Sequence, residues 1–472
     1  MESVKTAPNV FRAGGWRGRM TTAELDPRRR PSPTLERVAF KTDRLGEFVG
    51  RRELTAQIGH PPEQWALVLL KEAVDNSLDA CEETPAAPEL RIDVSTDPGA
   101  ITVTDKGPGI APETVRDILD YTARVSSREA YVSPTRGAQG NALKTVLAMP
   151  FALDGNSGTS IIESRRIRHE MTFRVDQLRQ RPVIDHQQTS SVLQKGTRLR
   201  VDLACSVLVD VEARFLQMAD DLGWLNPHLR LLVTWNGIER VRREPSDPAW
   251  KKWRACDPTS AHWYDEQRLT RYVAAHVARD QDHGHDRTVR EFIAELRGFS
   301  GSAKQKRVLD QTGLSRSPLS SLFGPDGSPD RTRLADLLHA LKSFSKPIKP
   351  LDLGLIGKDH LLACFNELGV ERETFKYCKA AGESEGLPWV VETAFGWCPA
   401  LERRRIVVGV NWSVALGNPF RSFGRTGEGL ESLLADQRAG RNEPIAFVLH
   451  FVCPRTQYTD RAKSGIVLPG DE

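Results

Sequence analysis

The sequence predicts an α+β protein with three structured regions. Helix-forming and strand-forming patterns alternate up to about residue 240, which predicts one layer of helices on a mixed sheet. Residues 245–345 are charged and mostly helical in pattern, with Gly and Ser breaks. Strand and helix patterns alternate again after the proline-containing segment 347–350. At 472 residues the chain is too long for one ordinary core, so two or three domains are expected.

These patterns place a loose basic arm at 1–34, an α/β sandwich at 35–240, a small helical insert at 241–346 and a second α/β domain at 347–472. The arm has no apolar core of the kind that a secretory signal needs. No apolar stretch approaches the roughly 20 residues of a membrane span, so we expect no membrane partner. The seven cysteines are scattered without a Cys-x-x-Cys pair, which argues against a zinc site and fits the cytoplasm.

The hydrophobic periodicities predict individual elements along the chain. In the first region they predict helices at 63–82, 112–119, 140–147 and 211–222, and strands at 90–95, 100–104, 159–163, 170–175, 197–202 and 231–235. In the insert they predict helices at 289–296, 303–311 and 334–344. In the last region they predict helices at 361–368 and 430–439, and strands at 389–397, 405–411 and 445–452. The order strand, helix, strand near the end predicts a βαβ unit.

The helix at 63–82 carries the most informative motif of the chain. Glu72, Asn76 and Asp79 fall at positions i, i+4 and i+7, so they share one face of the helix. A carboxylate and a carboxamide one turn apart, roughly 6 Å, can share a water molecule and a divalent cation. Nucleotide hydrolysis needs this pair, because a base orients water while an oxygen ligand holds Mg²⁺ against the phosphates.

A second motif, Asp105-x-Gly107-x-Gly109, ends a strand and begins a tight loop. A carboxylate at this point can accept a hydrogen bond from the exocyclic amine of adenine, and glycines let backbone approach a ligand. Thr197 follows a Lys-Gly turn and precedes a strand, where its hydroxyl could reach the same base. Taken alone, each of these motifs is more typical of an ordinary turn than of a nucleotide site.

A third motif opens the helix predicted at 140–147. It consists of Gly137, Gln139, Gly140, Asn141 and Lys144, and the free N–H groups at such a helix start suit phosphate oxygens. A Walker loop is excluded, because Leu143 occupies the position where that motif requires glycine. The polar segment 126–139 before it is typical of a mobile loop.

Together, in this order, the motifs resemble the ATP-binding fold shared by gyrase, MutL, the large heat-shock chaperones and histidine kinases, the GHKL superfamily. The resemblance covers about residues 60–205 and implies a GHKL (Bergerat) α/β sandwich that binds ATP and Mg²⁺. It implies that Glu72 polarises the attacking water, Asn76 binds Mg²⁺ and Asp105 hydrogen-bonds adenine. It further implies that the glycines at 107, 109, 137 and 140 shape the pocket and lid, and that Thr197 supports the base. In this resemblance the segment 126–139 is the lid that closes over the triphosphate.

Within the superfamily the sequence looks most like the B subunit of topoisomerase VI. The segments Lys71–Glu82 and Arg136–Gly140 resemble that family, and 355–359 and 388–392 resemble the start of its transducer domain. The segment 457–464 is similar to its switch-lysine loop, which implies that Lys463 reaches the γ-phosphate and senses ATP against ADP. The helical insert then takes the place of the family's helix–two-turn–helix domain.

This resemblance implies an ATP-dependent homodimeric clamp that acts on duplex DNA. The chain ends nine residues after Lys463, whereas B subunits of topoisomerase VI continue into a long helix that joins the DNA-cleaving A subunit. No catalytic tyrosine domain is recognisable, so we expect cleavage to require a separate A-type partner.

Two other classes of ATPase remain open. Ala142-Leu143 leans toward the MutL pattern, so a MutL-like repair factor or a chaperone-like protein is the alternative. Stimulation of ATPase activity by duplex DNA, against stimulation by unfolded protein, would separate these classes. A histidine kinase would need a phospho-acceptor histidine on a helical hairpin, and His60 stands before two prolines, a poor helix context.

Overall fold

A computed structural model describes residues 45–121, 130–137, 142–176, 178, 181–282, 284–423 and 427–468. The arm predicted at 1–34 lies outside the described residues, as do Gln139, Gly140 and Asn141. The domain boundaries near residues 240 and 346 stay predictions.

The N-terminal part is a mixed sheet covered by helices, as predicted. Its strands are β1 (Glu89–Ser95), β2 (Ala100–Asp105), β3 (Ser157–Ser164), β4 (Ile167–Asp176), β5 (Arg181–Ser190), β6 (Thr197–Asp202), β7 (Arg230–Trp235) and β8 (Ile238–Arg243). They lie in the order β5-β4-β3-β6-β2-β1-β7-β8. The β1–β7 pair is parallel, and the other neighbouring pairs are antiparallel.

One face of this sheet is buried under helices. In β1 the buried residues Leu90, Ile92 and Val94 alternate with more exposed ones, the pattern of a strand with one face in the core. The helices are α1 (Gly46–Val49), α2 (Arg51–Ile58), α3 (Trp65–Cys81), α4 (Pro112–Leu119), α5 (Ala142–Asp154), α6 (Cys205–Val209) and α7 (Glu212–Leu225). Most residues of α3 are buried, so this helix lies in the middle of the core. The buried polar side chains of α3, which are Lys71, Asp75 and Ser77, are therefore held in fixed positions.

The insert is helical, as predicted. It contains α8 (Glu266–Asp282), α9 (Val289–Ala294), α10 (Ser302–Thr312) and α11 (Arg331–Phe344). Thr288 and Glu291 form a capping box that satisfies backbone donors at the start of α9. The long helix α8 was not predicted from the sequence, although its buried Leu269 and Val273 stand one turn apart.

The C-terminal part contains a second sheet. Its elements are α12 (Lys358–Leu368), β9 (Lys376–Ser384), β10 (Leu387–Trp397), β11 (Arg405–Val410), β12 (Ser413–Val414), α13 (Leu430–Asp436) and β13 (Ile445–Val452). The strand order is β12-β11-β13-β10-β9. Strands β11 and β13 are parallel and α13 lies between them in the chain, which confirms the predicted βαβ unit. A short hairpin, β14 (Gln457–Tyr458) and β15 (Ile466–Val467), follows.

The segment predicted to be a mobile lid is packed where the structure describes it. Val132, Ser133 and Arg136 are buried. The amide of Val132 donates to the hydroxyl of Tyr264 at 3.0 Å, and its carbonyl accepts from Thr259 at 2.6 Å. Val132 of this segment therefore has defined contacts with the insert, and the lid over 126–139 stays a prediction.

Candidate functional site

Glu72 and Asn76 lie one turn apart on α3, as the spacing predicts. The side chain of Glu72 is 17% exposed, and Asn76 is exposed. The Asn76 amide makes no hydrogen bond to any residue that the structure describes, so its oxygen is available to a ligand. Among the described residues, no group of three or more His, Cys, Asp or Glu side chains could hold a metal ion by itself.

Two lysines face the Glu72 carboxylate. Lys71 Nζ lies 3.2 Å from Glu72 Oε1, and Lys463 Nζ lies 3.9 Å from the same oxygen. Burial alone would raise the pKa of Glu72, but these two ammonium groups outweigh it and hold the pKa below its usual value. The carboxylate is therefore ionised at neutral pH, as a group that orients water must be.

Lys463 reaches the site from the loop between β14 and β15. The Lys463 amide donates to the carbonyl of Asp460 at 3.2 Å, and the Ser464 amide donates to the Asp460 carboxylate at 3.0 Å, so the loop has a defined shape. Lys463 has a φ of 55°, in the left-handed region. The nearby ammonium of Lys71 and burial lower the pKa of Lys463, against the opposing effect of Glu72.

Two cavities open beside these charged groups. The larger has a volume of about 360 Å³ and lies between the hairpin loop, the end of β11 and the segment 135–136. The smaller, of about 60 Å³, contacts α3 and β12. The residues that line both cavities are Arg136, Val410, Tyr458, Arg461 and Lys463. A ligand in this space would contact both the N-terminal and the C-terminal parts of the chain.

Asp105 is fixed at the end of β2 by three hydrogen bonds. Its Oδ1 accepts from the amides of Gly107 at 2.8 Å and Thr197 at 3.1 Å. Its Oδ2 accepts from the hydroxyl of Ser77 at 3.3 Å. Burial raises the pKa of Asp105, although these hydrogen bonds oppose the change. Thr197 therefore contacts Asp105 through its backbone, and Ser77 is a residue that the sequence patterns did not single out.

Glycines are required where the two turns beside Asp105 meet. Gly196 has a φ of 83°, and a Cβ atom there would lie 1.9 Å from the carbonyl oxygen of Asp105. Gly109 has a φ of 78°, and its Cβ would lie 2.6 Å from the hydroxyl of Ser164. Only glycine fits both the conformation and the space. The close approach of the turns fixes the orientation of Asp105.

Asp79 forms an ion pair with Arg136. Its carboxylate lies 2.7 Å from Arg136, whose side chain is fully buried. Arg136 also makes two hydrogen bonds to Glu82, at 2.7 and 3.0 Å, and one to Asn226. Asp79 thus joins α3 to the segment 130–137. The sequence patterns pointed to the family resemblance of the Arg136 segment but gave no sign of this contact.

The third motif is only partly described. Lys144 Nζ donates to the carbonyl of Asp120 at 2.6 Å and lies over the ring of Tyr121, 5.6 Å from its centre. Burial lowers the pKa of Lys144. Gly137 is half-buried, and a Cβ atom on it would meet no atom within 4 Å. The structure thus brings together Glu72 with Lys463, and Asp105 with Gly107 and Thr197, whereas Lys144 is directed toward Asp120.

The sequence is similar to known ATPases over part of its length. Residues 63–205 match the family of histidine kinase-, DNA gyrase B- and HSP90-like ATPases. The B subunit of type 2 DNA topoisomerase 6 from Archaeoglobus fulgidus is 23% identical over 197 residues, 40% of this chain and 33% of the relative. The corresponding protein of Natronomonas pharaonis is 30% identical over 199 residues, 40% of this chain and 24% of the relative. The matches thus span at most a third of either relative.

Among solved structures, the ATPase region of Saccharomyces cerevisiae topoisomerase II aligns with a TM-score of 0.38 at 10% identity, covering 85% of this chain and 76% of that chain. No described helix is long and apolar enough to cross a membrane. The family match spans α3, Asp105 and Thr197. Residues 63–205 therefore match ATPase domains of the histidine kinase, DNA gyrase B and HSP90 type, and the chain is similar over part of its length to the topoisomerase VI B subunit.

Proposed function

We propose that this chain binds and hydrolyses ATP in a composite site and works as an ATP-gated homodimeric clamp on duplex DNA. The observation that carries the proposal is the position of Lys463, whose Nζ lies 3.9 Å from Glu72 Oε1. The loop that holds Lys463 is far from α3 in the sequence. A lysine from a second domain beside the general base couples the state of the nucleotide to the position of that domain.

Each part of the site has a distinct task. Asp105 accepts a hydrogen bond from the adenine amine, and its orientation is fixed by two backbone amides. Glu72 orients the attacking water, and Lys463 contacts the γ-phosphate. Thr197 supports the base, and the backbone between Gly137 and Lys144, including Gln139, Gly140 and Asn141, contacts phosphates. Asp79 contributes indirectly, because it fixes Arg136 beside α3.

The residues present fit a magnesium ion. Asn76 is exposed, stands one turn from Glu72 and offers an oxygen with no described partner, so it would hold Mg²⁺ together with phosphate oxygens. Bound Mg²⁺ would neutralise phosphate charge.

Similarity to topoisomerase subunits supports the assignment to DNA. The relatives are B subunits of type 2 DNA topoisomerase 6, so an A-type partner would supply DNA cleavage. Contacts between basic residues and phosphates would make DNA binding strongly salt-dependent. Stimulation of ATP hydrolysis by duplex DNA would support the clamp, and stimulation by unfolded protein instead would support the chaperone-like alternative.

The decisive test is Glu72→Gln, which keeps the shape of the side chain and removes the base. We expect at least a hundredfold lower kcat with ATP still bound, because general-base catalysis contributes roughly 10²- to 10⁴-fold. Phosphate release and calorimetric ATP binding measure the two quantities. Glu170 on β4, whose side chain is 41% exposed, offers the matched control, and Glu170→Gln should leave both quantities unchanged. Unaltered kcat in Glu72→Gln would remove Glu72 from the mechanism.

A second test addresses Lys463. Lys463→Ala should slow hydrolysis and weaken the preference for ATP over ADP, because the lost ammonium contacts the γ-phosphate and not the adenine. ADP affinity serves as the internal control.

Sedimentation with a non-hydrolysable ATP analogue should show a dimer for the wild-type chain, and a monomer at all nucleotide concentrations would contradict the clamp.

A further inference from the structure

A buried chain of contacts connects the second sheet to the Glu72 carboxylate. Ser413, the first residue of β12, donates its hydroxyl hydrogen to Asp75 Oδ2 at 2.6 Å. The same oxygen accepts from Lys71 Nζ at 2.8 Å, and Lys71 in turn donates to Glu72 Oε1 at 3.2 Å. Ser413, Asp75 and Lys71 are all buried. Ser413 and Glu72, at the two ends of this series of contacts, are 341 residues apart in sequence. Three hydrogen bonds connect them in space.

Lys71 is the group that fixes the Glu72 side chain. Among the described residues, Lys71 makes the one hydrogen bond to the Glu72 carboxylate, since Lys463 approaches only to 3.9 Å. Lys71 Nζ is shared between two carboxylates. Its distance from Glu72 therefore depends on how strongly Asp75 attracts it.

Ser413 moderates the attraction of Asp75 for Lys71. Asp75 Oδ1 has no hydrogen-bond partner among the described residues, so Oδ2 makes all of the described contacts of this carboxylate. Without the Ser413 hydroxyl, Lys71 would be the remaining partner of Asp75. The ammonium would then move toward Asp75 and away from Glu72, because a buried carboxylate needs its charge and hydrogen bonds satisfied.

A strained turn delivers Ser413 to this position. Val410 and Ser413 pair across the hairpin of β11 and β12, and Asn411 and Trp412 between them have φ values of 50° and 63°. Positive φ at both central residues is the geometry of a two-residue hairpin turn, which Asn adopts readily and a bulky residue such as Trp412 adopts at some cost. Here the Trp412 amide donates to His450 at 3.1 Å, and the Cys453 amide donates to the Asn411 side chain at 3.0 Å. The second sheet therefore dictates where Ser413 lies.

We propose that Lys71 is a positioning residue for Glu72 and that Ser413 sets the position of Lys71 through Asp75. The proposal rests on the proposed function, in which Glu72 orients the attacking water. It implies that Glu72 is held in its working position only while the turn at 411–412 is docked on α3. Hydrolysis thus depends on docking of the second sheet by a route that is separate from the contact of Lys463 with the γ-phosphate.

The test is Ser413→Ala in the full chain, with Ser160→Ala as the matched control. Ser160 is also fully buried, and its hydroxyl also makes one hydrogen bond, to the carbonyl of Leu147 at 3.1 Å. We expect Ser413→Ala to lower kcat about tenfold, equivalent to about 1.4 kcal/mol, with the Kd for ATP unchanged within twofold. Ser413→Thr restores the hydroxyl and should recover most of kcat.

The pH dependence of kcat separates positioning from a merely structural role. Lys71 holds the pKa of Glu72 down, so movement of Lys71 away from Glu72 should raise that pKa. The acidic limb of the kcat profile should therefore move to higher pH in Ser413→Ala and stay in place in Ser160→Ala. Lys71→Met should show the same shift more strongly, and Ser413→Ala supplies the readout if that variant does not fold.

The outcomes distinguish this proposal from the proposed function. Normal wild-type turnover with an unchanged kcat and pH profile in Ser413→Ala would overturn the positioning role alone. Equal losses of kcat and ATP affinity, accompanied by a lower unfolding midpoint, would also overturn it, since they indicate general destabilisation. Failure of the wild-type chain to bind ATP would overturn the proposed function and this inference with it.

Discussion

Arg136 offers the sharpest test of what holds the segment 130–137 against α3. Its guanidinium is fully buried and contacts Asp79 at 2.7 Å and Glu82 at 2.7 and 3.0 Å. Replacement by Met keeps much of the apolar volume and removes the charge. Asp79 then loses its ion-pair partner, whereas Glu82 keeps contacts with Lys252 at 2.6 Å and His228 at 3.0 Å.

The expected loss in the free energy of unfolding follows from this difference between Asp79 and Glu82. Removal of one partner from a buried ion pair typically costs about 3–5 kcal/mol, because the remaining charge stays uncompensated. Glu82 remains partly compensated, so we expect about 3 kcal/mol for Arg136→Met, near the lower end of that range. Arg136 also holds the pKa of Glu82 well below its usual value, so part of the loss should be relieved at acidic pH.

Urea denaturation followed by tryptophan fluorescence measures the change. The matched control is Arg91→Met, which breaks an ion pair of the same type with Asp93, also at 2.7 Å. The side chain of Arg91 is 54% exposed, so its loss should cost less than about 1 kcal/mol. Equal shifts of the unfolding midpoint in the two variants would refute the reasoning, because the difference in burial would then have no energetic consequence.

Two further predictions concern affinity and pH. Asp105→Asn should keep the hydrogen bonds that the backbone donates to Oδ1 but lose the negative charge of the carboxylate. The affinity for ATP, measured by calorimetry, should therefore fall about tenfold. An unchanged affinity would remove Asp105 from the adenine site. Burial, assisted by the nearby Arg287, lowers the pKa of His276 to about 4. Because the unfolded chain, with a histidine pKa of about 6.5, then binds more protons than the folded chain, the free energy of unfolding should fall as the pH drops from 6.5 toward 4. His276→Phe should remove at most about 2 kcal/mol of that loss between pH 7 and 5, and identical urea midpoint shifts with pH in both proteins would contradict this.

The three strands of six or more residues that the sequence patterns missed share one physical feature. Strands β5, β8 and β9 all lie at the edge of a sheet, and many of their side chains are exposed. An edge strand that buries little of either face has no reason to alternate apolar and polar residues. The central strands β1, β2 and β6 do bury one face, and the alternation predicted them almost to the residue.

Helix α5 extends further along the chain than the local sequence pattern predicts. The sequence predicted a helix from residue 140 to 147, but the structure continues it through Pro150 to Asp154. Residues Val146–Ala152 are all buried against the sheet and neighbouring helices. Packing of this apolar run outweighs the unfavourable proline, which a local reading of propensity does not weigh.

The parts of the candidate site around Asp105 and around Glu72 differ in how well local sequence patterns predict their residues. Around Asp105 the partners Ser77, Gly107 and Thr197 belong to α3, the first sheet and the turns beside it, and motif spacing predicted two of the three. Glu72 lies beside Lys463 and is connected to Ser413 through Lys71 and Asp75, and no local pattern connects Ser413 or Lys463 to α3. The resemblance to a known family supplied Lys463, and nothing in the sequence indicated Ser413.

This difference has a consequence for the proposed ATPase. The adenine end depends on the first sheet alone, so variants in the second sheet should leave nucleotide affinity nearly intact. The phosphate end combines Glu72 and Lys71 of α3 with groups from β12 and the β14–β15 loop, so its geometry exists only while both sheets are docked. Binding and turnover can then be altered separately, which is what a clamp needs if it is to hold ATP while closed and hydrolyse it only when the second domain is in place.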